Sequence, residues 1–205
     1  MVAQKHPVFY GGIEYYRHTH FEGDAYFNFN AGAQVYRWKF FAPEVGFDLY
    51  MGSPSNIKVS NPVDPNYSEV AYLSRTMTVP LLTLAPKFKF GRDDAFITIT
   101  PKYHIGEAAA KANYYELSSS GKEYHLEESQ KVKKSVSFWS FAVGIEGFAI
   151  EAEKYWFSLS LNLTFLDVEE AFQDLDFSKY DIDAKIWNTT TLGFGIRFNW
   201  DPFVK

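Results

Sequence analysis

The sequence predicts an all-β fold, an eight-stranded antiparallel up-and-down transmembrane β-barrel with long outer loops, on three observations. Eight segments alternate apolar and polar residues with a period of two, the mark of strands with two unlike faces. The connections between them alternate between short and long, as in a barrel with tight turns at one membrane face and long loops at the other. The polar parity is small or balanced in charge, while the apolar parity carries no Asp, Glu, Lys or Arg through its central parts.

In chain order the strands are expected at 8–18, 25–36, 42–51, 79–90, 95–105, 135–148, 155–166 and 189–200. The clearest is "YWFSLSLNLTF", in which Tyr155, Phe157, Leu159, Leu161, Leu163 and Phe165 share one parity and Trp156, Ser158, Ser160, Asn162 and Thr164 the other. Short connections fall at "RWKFF", "GRDD" and "IEAEK", and long ones at 52–78, 106–134 and 167–188; "THFEGD" is a brief outer loop. "SSSG" reads as the tip of a protruding hairpin whose strands run past the membrane. "DVEEAFQDL" has the character of a short helix. Pro86 and Pro101 remove ladder donors, which predicts a bulge or bent strand. The chain reads as one domain over 1–205, with a periplasmic arm at 1–7 and a tail at 201–205.

Composition excludes several classes. A net charge of −5 leaves no basic footprint, so nucleic acid is not an expected partner. With no cysteine there is no disulfide, thiolate metal site or catalytic thiol. No apolar run reaches the length of a transmembrane helix, a test to which barrels are invisible. The start, "MVAQKHPVFYGG", lacks an apolar signal core, as in a chain that stays in the cell or one whose signal peptide is already cleaved; the barrel reading favours the second.

Which face meets lipid follows from charge and volume. The polar parity carries Glu14, Glu44, Asp48 and Glu146 against Lys87, Lys89, Lys102 and Arg197, four of each sign. A closed interior calls for such a balance, because an unpaired ion there costs several kcal/mol. The apolar parity is too bulky to pack inside eight strands, whose interior side chains just fill. Eleven residues at about 3.3 Å, tilted by roughly 40°, rise about 28 Å, close to the apolar band of an outer-membrane barrel. Trp38, Tyr103, Trp139, Tyr155, Trp156 and Trp200 stand near strand ends, where rings favour the membrane interfaces.

The stretch "FNFNAGAQVYRWKFFAPEVGFDLYMG", read as strand, tight turn and strand, and the closing "TTTLGFGIRFNW" resemble the small outer-membrane β-barrel proteins of Bacteroidetes-type bacteria, related in architecture to OmpX and the OmpA membrane domain. The resemblance covers nearly the whole chain. It implies both termini in the periplasm and a terminal aromatic that assists insertion. Trp200 and Phe203 stand near that place, and the tail "DPFVK" departs from the pattern.

No catalytic, cofactor or metal residue is assigned. His18 and His20 share a strand face, a spacing open to joint ligation but lacking a third ligand. Some eight-stranded barrels modify lipid A with a His and Ser or carboxylate partners; here His104 or His18 with Ser137, Ser74 or Glu107 are the candidates. The expected role is a structural or interaction protein, an accessory subunit of a larger outer-membrane assembly or a surface-loop binder, with membrane lipids including lipopolysaccharide as surroundings. The alternatives are a lipid A-modifying enzyme and a soluble lipocalin-like carrier.

Overall fold

The computed structural model describes residues 6–60, 69–92, 95–118, 120–148, 154–186 and 190–204. The strands are β1 (Val8–Arg17), β2 (Ala25–Gln34), β3 (Phe41–Gly52), β4 (Ile57–Ser60), β5 (Glu69–Arg92), β6 (Ala95–Leu117), β7 (Tyr124–Phe148), β8 (Tyr155–Thr164) and β9 (Thr191–Trp200), with one short helix, α1 (Glu169–Gln173). Pairing is antiparallel throughout. β1 pairs both β2 and β9, and β3 pairs β5, so eight strands close into a ring. β4 lies outside that ring, on the β5 segment that has run past β3. The eight expected strands are all present, and "DVEEAFQDL" does contain the helix.

Alternation sorts the side chains as the period-two pattern requires. Phe29, Val45, Leu84, Ile97, Val143, Leu161, Leu192 and Ile196 form an exposed belt around the ring; Leu161 is 70% and Leu192 69% exposed. At about 25 cal/mol per Å² such a belt would be costly in water, and it fits hydrocarbon instead. Among the described residues no helix is long and apolar enough to cross a membrane.

Three strands run past the belt: β6 and β7, which flank "SSSG", as expected, and β5 in addition. β5, β6 and β7 run 24, 23 and 25 residues, roughly twice the span of the belt. Their polarity inverts along the way. Within the belt β6 turns Thr98, Thr100, Lys102 and His104 inward and Ile97, Ile99 and Ile105 outward. Beyond it, Ala108, Ala110, Ala112 and Tyr114 face inward and are buried, while Glu107 and Lys111 face out. β5 behaves likewise, with Leu73, Met77, Val79 and Leu81 inward. The inversion marks where hydrocarbon gives way to water, since the inner face stays buried and only the outer medium changes.

Of the two arrangements expected at the prolines, a bulge or a bent strand, the register excludes the bulge. Pro43 pairs with Pro86 across β3 and β5. On the other side of β5, Leu84 pairs with Tyr103 and Phe88 with Ile99 in one unbroken register, so Pro86 and Pro101 stand opposite each other. No bulge forms there. Two facing residues without N–H groups interrupt the ladder without changing the residue count.

The turn at "RWKFF" is tight, closed by mutual backbone hydrogen bonds of Trp38 and Phe41 at 2.8 and 2.9 Å, with Lys39 at φ +55°. The turns expected at "GRDD" and "IEAEK" lie largely outside the described residues. Of the expected arm, His6 binds the tail through Asp201 at 3.3 Å and packs its ring on Phe203.

Candidate functional site

Two structures fill the barrel. The first is a polar network in the lumen. Lys89 Nζ lies 2.5 Å from Glu146, which also pairs with Lys87; Lys87 reaches Glu44 at 2.8 Å, and Glu44 accepts from Arg197 at 3.0 Å. Arg197 approaches Glu14 at 3.6 Å, and Lys102 Nζ sits 2.6 Å from the same carboxylate. Tyr16 donates to Glu14 at 2.7 Å, while the Asn28 amide bridges Glu14 and Asp48 at 3.0 and 2.6 Å. Asp48 accepts from Thr83, which contacts His104 Nδ1 at 2.8 Å; His104 Nε2 then reaches Ser140 at 2.8 Å.

All eight charges named from the sequence are therefore buried in one connected chain. Every carboxylate meets a cation or a donor, which is what lets ions sit in so dry a place. Glycines make the room: Gly32 and Gly46 pair across β2 and β3, and the Tyr10 ring lies over both, with its hydroxyl 2.6 Å from where a Cβ on Gly32 would be. At the turn end Phe96 and Trp156 close the lumen, with Lys89 over both rings.

The placement of Trp156 is a correction. Expected among the interface aromatics, it is buried with its ring inside, because it belongs to the inward parity of β8. Trp38, Trp139 and Trp200 are exposed, Tyr103 packs on Trp139 at 5.0 Å, and Tyr155 stacks on Phe198 at 5.7 Å.

The second structure is a cap. Residues 166–186 fold inward over the barrel mouth and bury Leu166, Val168, Phe172, Leu175, Phe177, Ile182, Ala184 and Ile186 against the inner face of the extended β5, β6 and β7. Arg75 pins it, donating to the carbonyls of Ala184 and Lys185 at 2.9 and 3.0 Å and to Ser55 at 2.5 Å. Lys134 pairs with Asp174 and Lys179 with Glu128, each at 2.6 Å. Lys179 and Gln130 together hold the Glu128 carboxyl below its ordinary range. Where the cap meets His18, Phe21 and Tyr26 the free space is about 10 Å³, no more than one water needs.

Sequence reasoning missed this cap. Its signal was present: Ala71, Leu73, Met77, Val79 and Leu81 are odd-numbered, whereas the large apolar residues that follow, Leu82, Leu84, Phe88 and Phe90, are even.

The histidine constellations do not assemble. His104 points into the lumen, while Ser74, Ser137 and Glu107 all lie on the outward parity, so none can meet it. His18 is buried beneath the cap, with burial first and the neighbouring His20 second holding its imidazole below the ordinary pKa. His18 Nδ1 accepts the backbone N–H of His20 at 3.2 Å, so that nitrogen is already engaged. Among the described residues no three potential ligands converge on a metal position.

At the far tip the outer sheet shows an aromatic patch. Tyr72 stacks on Tyr115 at 4.8 Å and meets Tyr124 edge-on at 4.9 Å, beside the exposed Leu126.

No family model matches the sequence, and no curated protein matches it. Solved structures do. Neisserial surface protein A (NspA) aligns over 98% of this chain and 99% of its own, with a TM-score of 0.51 and 7% identity. Ail, the attachment invasion locus protein of Yersinia pestis, aligns over 95% of each chain with a TM-score of 0.41 and 9% identity. The N-terminal β-barrel domain of Pseudomonas aeruginosa OprF covers 97% of this chain and all of its own, with a TM-score of 0.36 and 12% identity. The ring closure, the lipid-facing belt and the full-length alignment with the neisserial protein give this chain the fold of the eight-stranded outer-membrane β-barrels.

Proposed function

We propose that this chain resides in the outer membrane of a Gram-negative bacterium, with its termini periplasmic and its extended strands outside, and acts there as a non-enzymatic interaction protein. The observation that carries the reading is the capped sheet. Three strands continue past the belt and bury an apolar core of their own, which holds the tip at a fixed height and angle. A loop that merely joined two strands would need no such core.

The outward patch of half-buried Tyr72 and Tyr115 with exposed Tyr124 and Leu126 on that tip has the composition of a protein-binding hot spot, rigid aromatic area with a polar edge. An accessory subunit docking on a larger membrane assembly, or a binder of surface ligands, would use it. The Bacteroidetes-type likeness of the sequence belongs to the same reading.

The test is gentle extraction of tagged protein from its native membrane after brief cross-linking. A stoichiometric partner is expected with the wild-type chain and lost with Tyr72→Ala/Tyr115→Ala. Recovery of the barrel alone in both cases would count against the subunit reading. A changed lipid A mass spectrum in a deletion strain would favour the enzyme instead.

A further inference from the structure

On the outward face of the long strands, just past the belt, lies a pocket of about 310 Å³ lined by Thr76, Thr78, Pro80, Glu107, Ala109, Lys111, Lys131 and Lys133. Lys111 on β6 and Lys131 on β7 are direct cross-strand partners, and Lys133 pairs with Ala109 one step nearer the membrane. Like charges directly opposite one another destabilise a sheet, with Cβ atoms only about 5 Å apart. Glu107 neutralises Lys133 at 2.6 Å. Among the described residues Lys111 and Lys131 have no ion-pair partner, so the pocket carries two uncompensated positive charges.

Edge protection does not account for them. Lysines on a bare edge strand discourage aggregation, which would suit Lys131 and Lys133 on β7. Lys111, however, sits on β6, paired on both sides by β5 and β7. The small side chain of Ala109 between the lysines leaves the depression open. Immediately below, on the same face, stand Leu82, Leu84 and Ile105, 68%, 54% and 51% exposed. A positive pocket set directly over bare hydrocarbon-facing wall matches an amphiphile whose anionic head and acyl chains are in the same order.

We propose that this pocket binds the phosphorylated headgroup of an outer-leaflet lipid, with Lys111 and Lys131 on the phosphate and the acyl chains along Leu82, Leu84 and Ile105. The inference rests on the outer-membrane orientation proposed above. Thr76 and Thr78 flank the cations with hydroxyl donors. Glu107 tunes the site by withholding Lys133 from it.

Native mass spectrometry of the full chain, refolded in detergent, tests this by titration with bisphosphorylated lipid A, with the same lipid stripped of its phosphates, and with inorganic phosphate. Retention of the phosphorylated lipid is expected, with about tenfold weaker binding of the stripped lipid and of Lys111→Gln/Lys131→Gln. Glu107→Gln should bind more tightly, because it releases Lys133. Heat-modifiable migration confirms that each variant is folded, and the single Lys111→Gln and Glu107→Gln variants, with opposite expected signs, replace the double variant if it does not refold. Equal retention of both lipids, or an unchanged double variant, overturns the proposal while leaving the barrel reading intact. Inorganic phosphate binding as tightly as the lipid overturns the lipid assignment. A chain that folds in water and takes up no detergent overturns both readings.

Discussion

Lys102 Nζ lies 2.6 Å from Glu14 Oε1, joining β6 to β1 through the middle of the barrel. Both groups are buried, so neither can fall back on water if the other is removed. Glu14→Gln is expected to cost about 3–5 kcal/mol in urea unfolding of the refolded protein, because it strands a buried ammonium. Glu14→Gln/Lys102→Met should recover more than half of that loss. Additive single-variant costs would show the two charges to be independent.

Tyr10 depends on the absence of side chains at Gly32 and Gly46, since a Cβ on either would meet its hydroxyl. Gly46→Ala is expected to destabilise by about 1–3 kcal/mol, as overpacking does. Adding Tyr10→Phe removes the colliding oxygen and should restore part of it. Equal stabilities of Gly46→Ala and wild type in the same unfolding assay would contradict this packing.

Arg75, on β5, ties the cap to the β3–β4 connection through three carbonyls, two in the cap and one at Ser55. Hydrogen bonds involving a charged group contribute about 1.5–3 kcal/mol each, net of those exchanged with water. Arg75→Ala should therefore raise the rate of limited proteolysis within 166–186 at least tenfold, while heat-modifiable migration, which reports the ring, stays unchanged. Phe172→Ala, which opens a cavity in the cap's own core, should do the same.

Acid should loosen the same region. His18 has its folded pKa held below the ordinary value of 6.5, so the unfolded chain binds the extra proton more readily. Stability contributed by neutral His18 is present above that value and is lost as the pH falls below it. Protonation also spends the Nδ1 lone pair that accepts the His20 N–H. The protection factor of the His20 amide, which is its exchange relative to an unstructured amide at the same pH, is expected to fall between pH 7.5 and pH 5, and His18→Gln should flatten that dependence.

Strand identity, the lipid-facing parity and the inward destination of Glu14, Glu44, Asp48, Glu146, Lys87, Lys89, Lys102 and Arg197 were legible along the chain, because a period of two is a local property and each residue's face follows from its neighbours. Which charge meets which was not. Arg197 and Glu44 are 153 positions apart, and only closure of the ring brings them to 3.0 Å. Trp156 shows the limit on a single residue: an aromatic beside a turn suggests an interface anchor, yet its parity on β8 turns it inside.

The sequence by itself determined a barrel, its two faces and the rim that carries long loops, since alternation, loop lengths and charge balance are all read one strand at a time. The tertiary structure alone decided that residues 166–186 pack over the barrel mouth rather than stand free of it. The odd-numbered apolar residues of β5 between 71 and 81 look like a strand facing the wrong way until residues 166–186 are laid over them. Burial depends on what a face is packed against, and that partner lies nearly a hundred residues further along the chain.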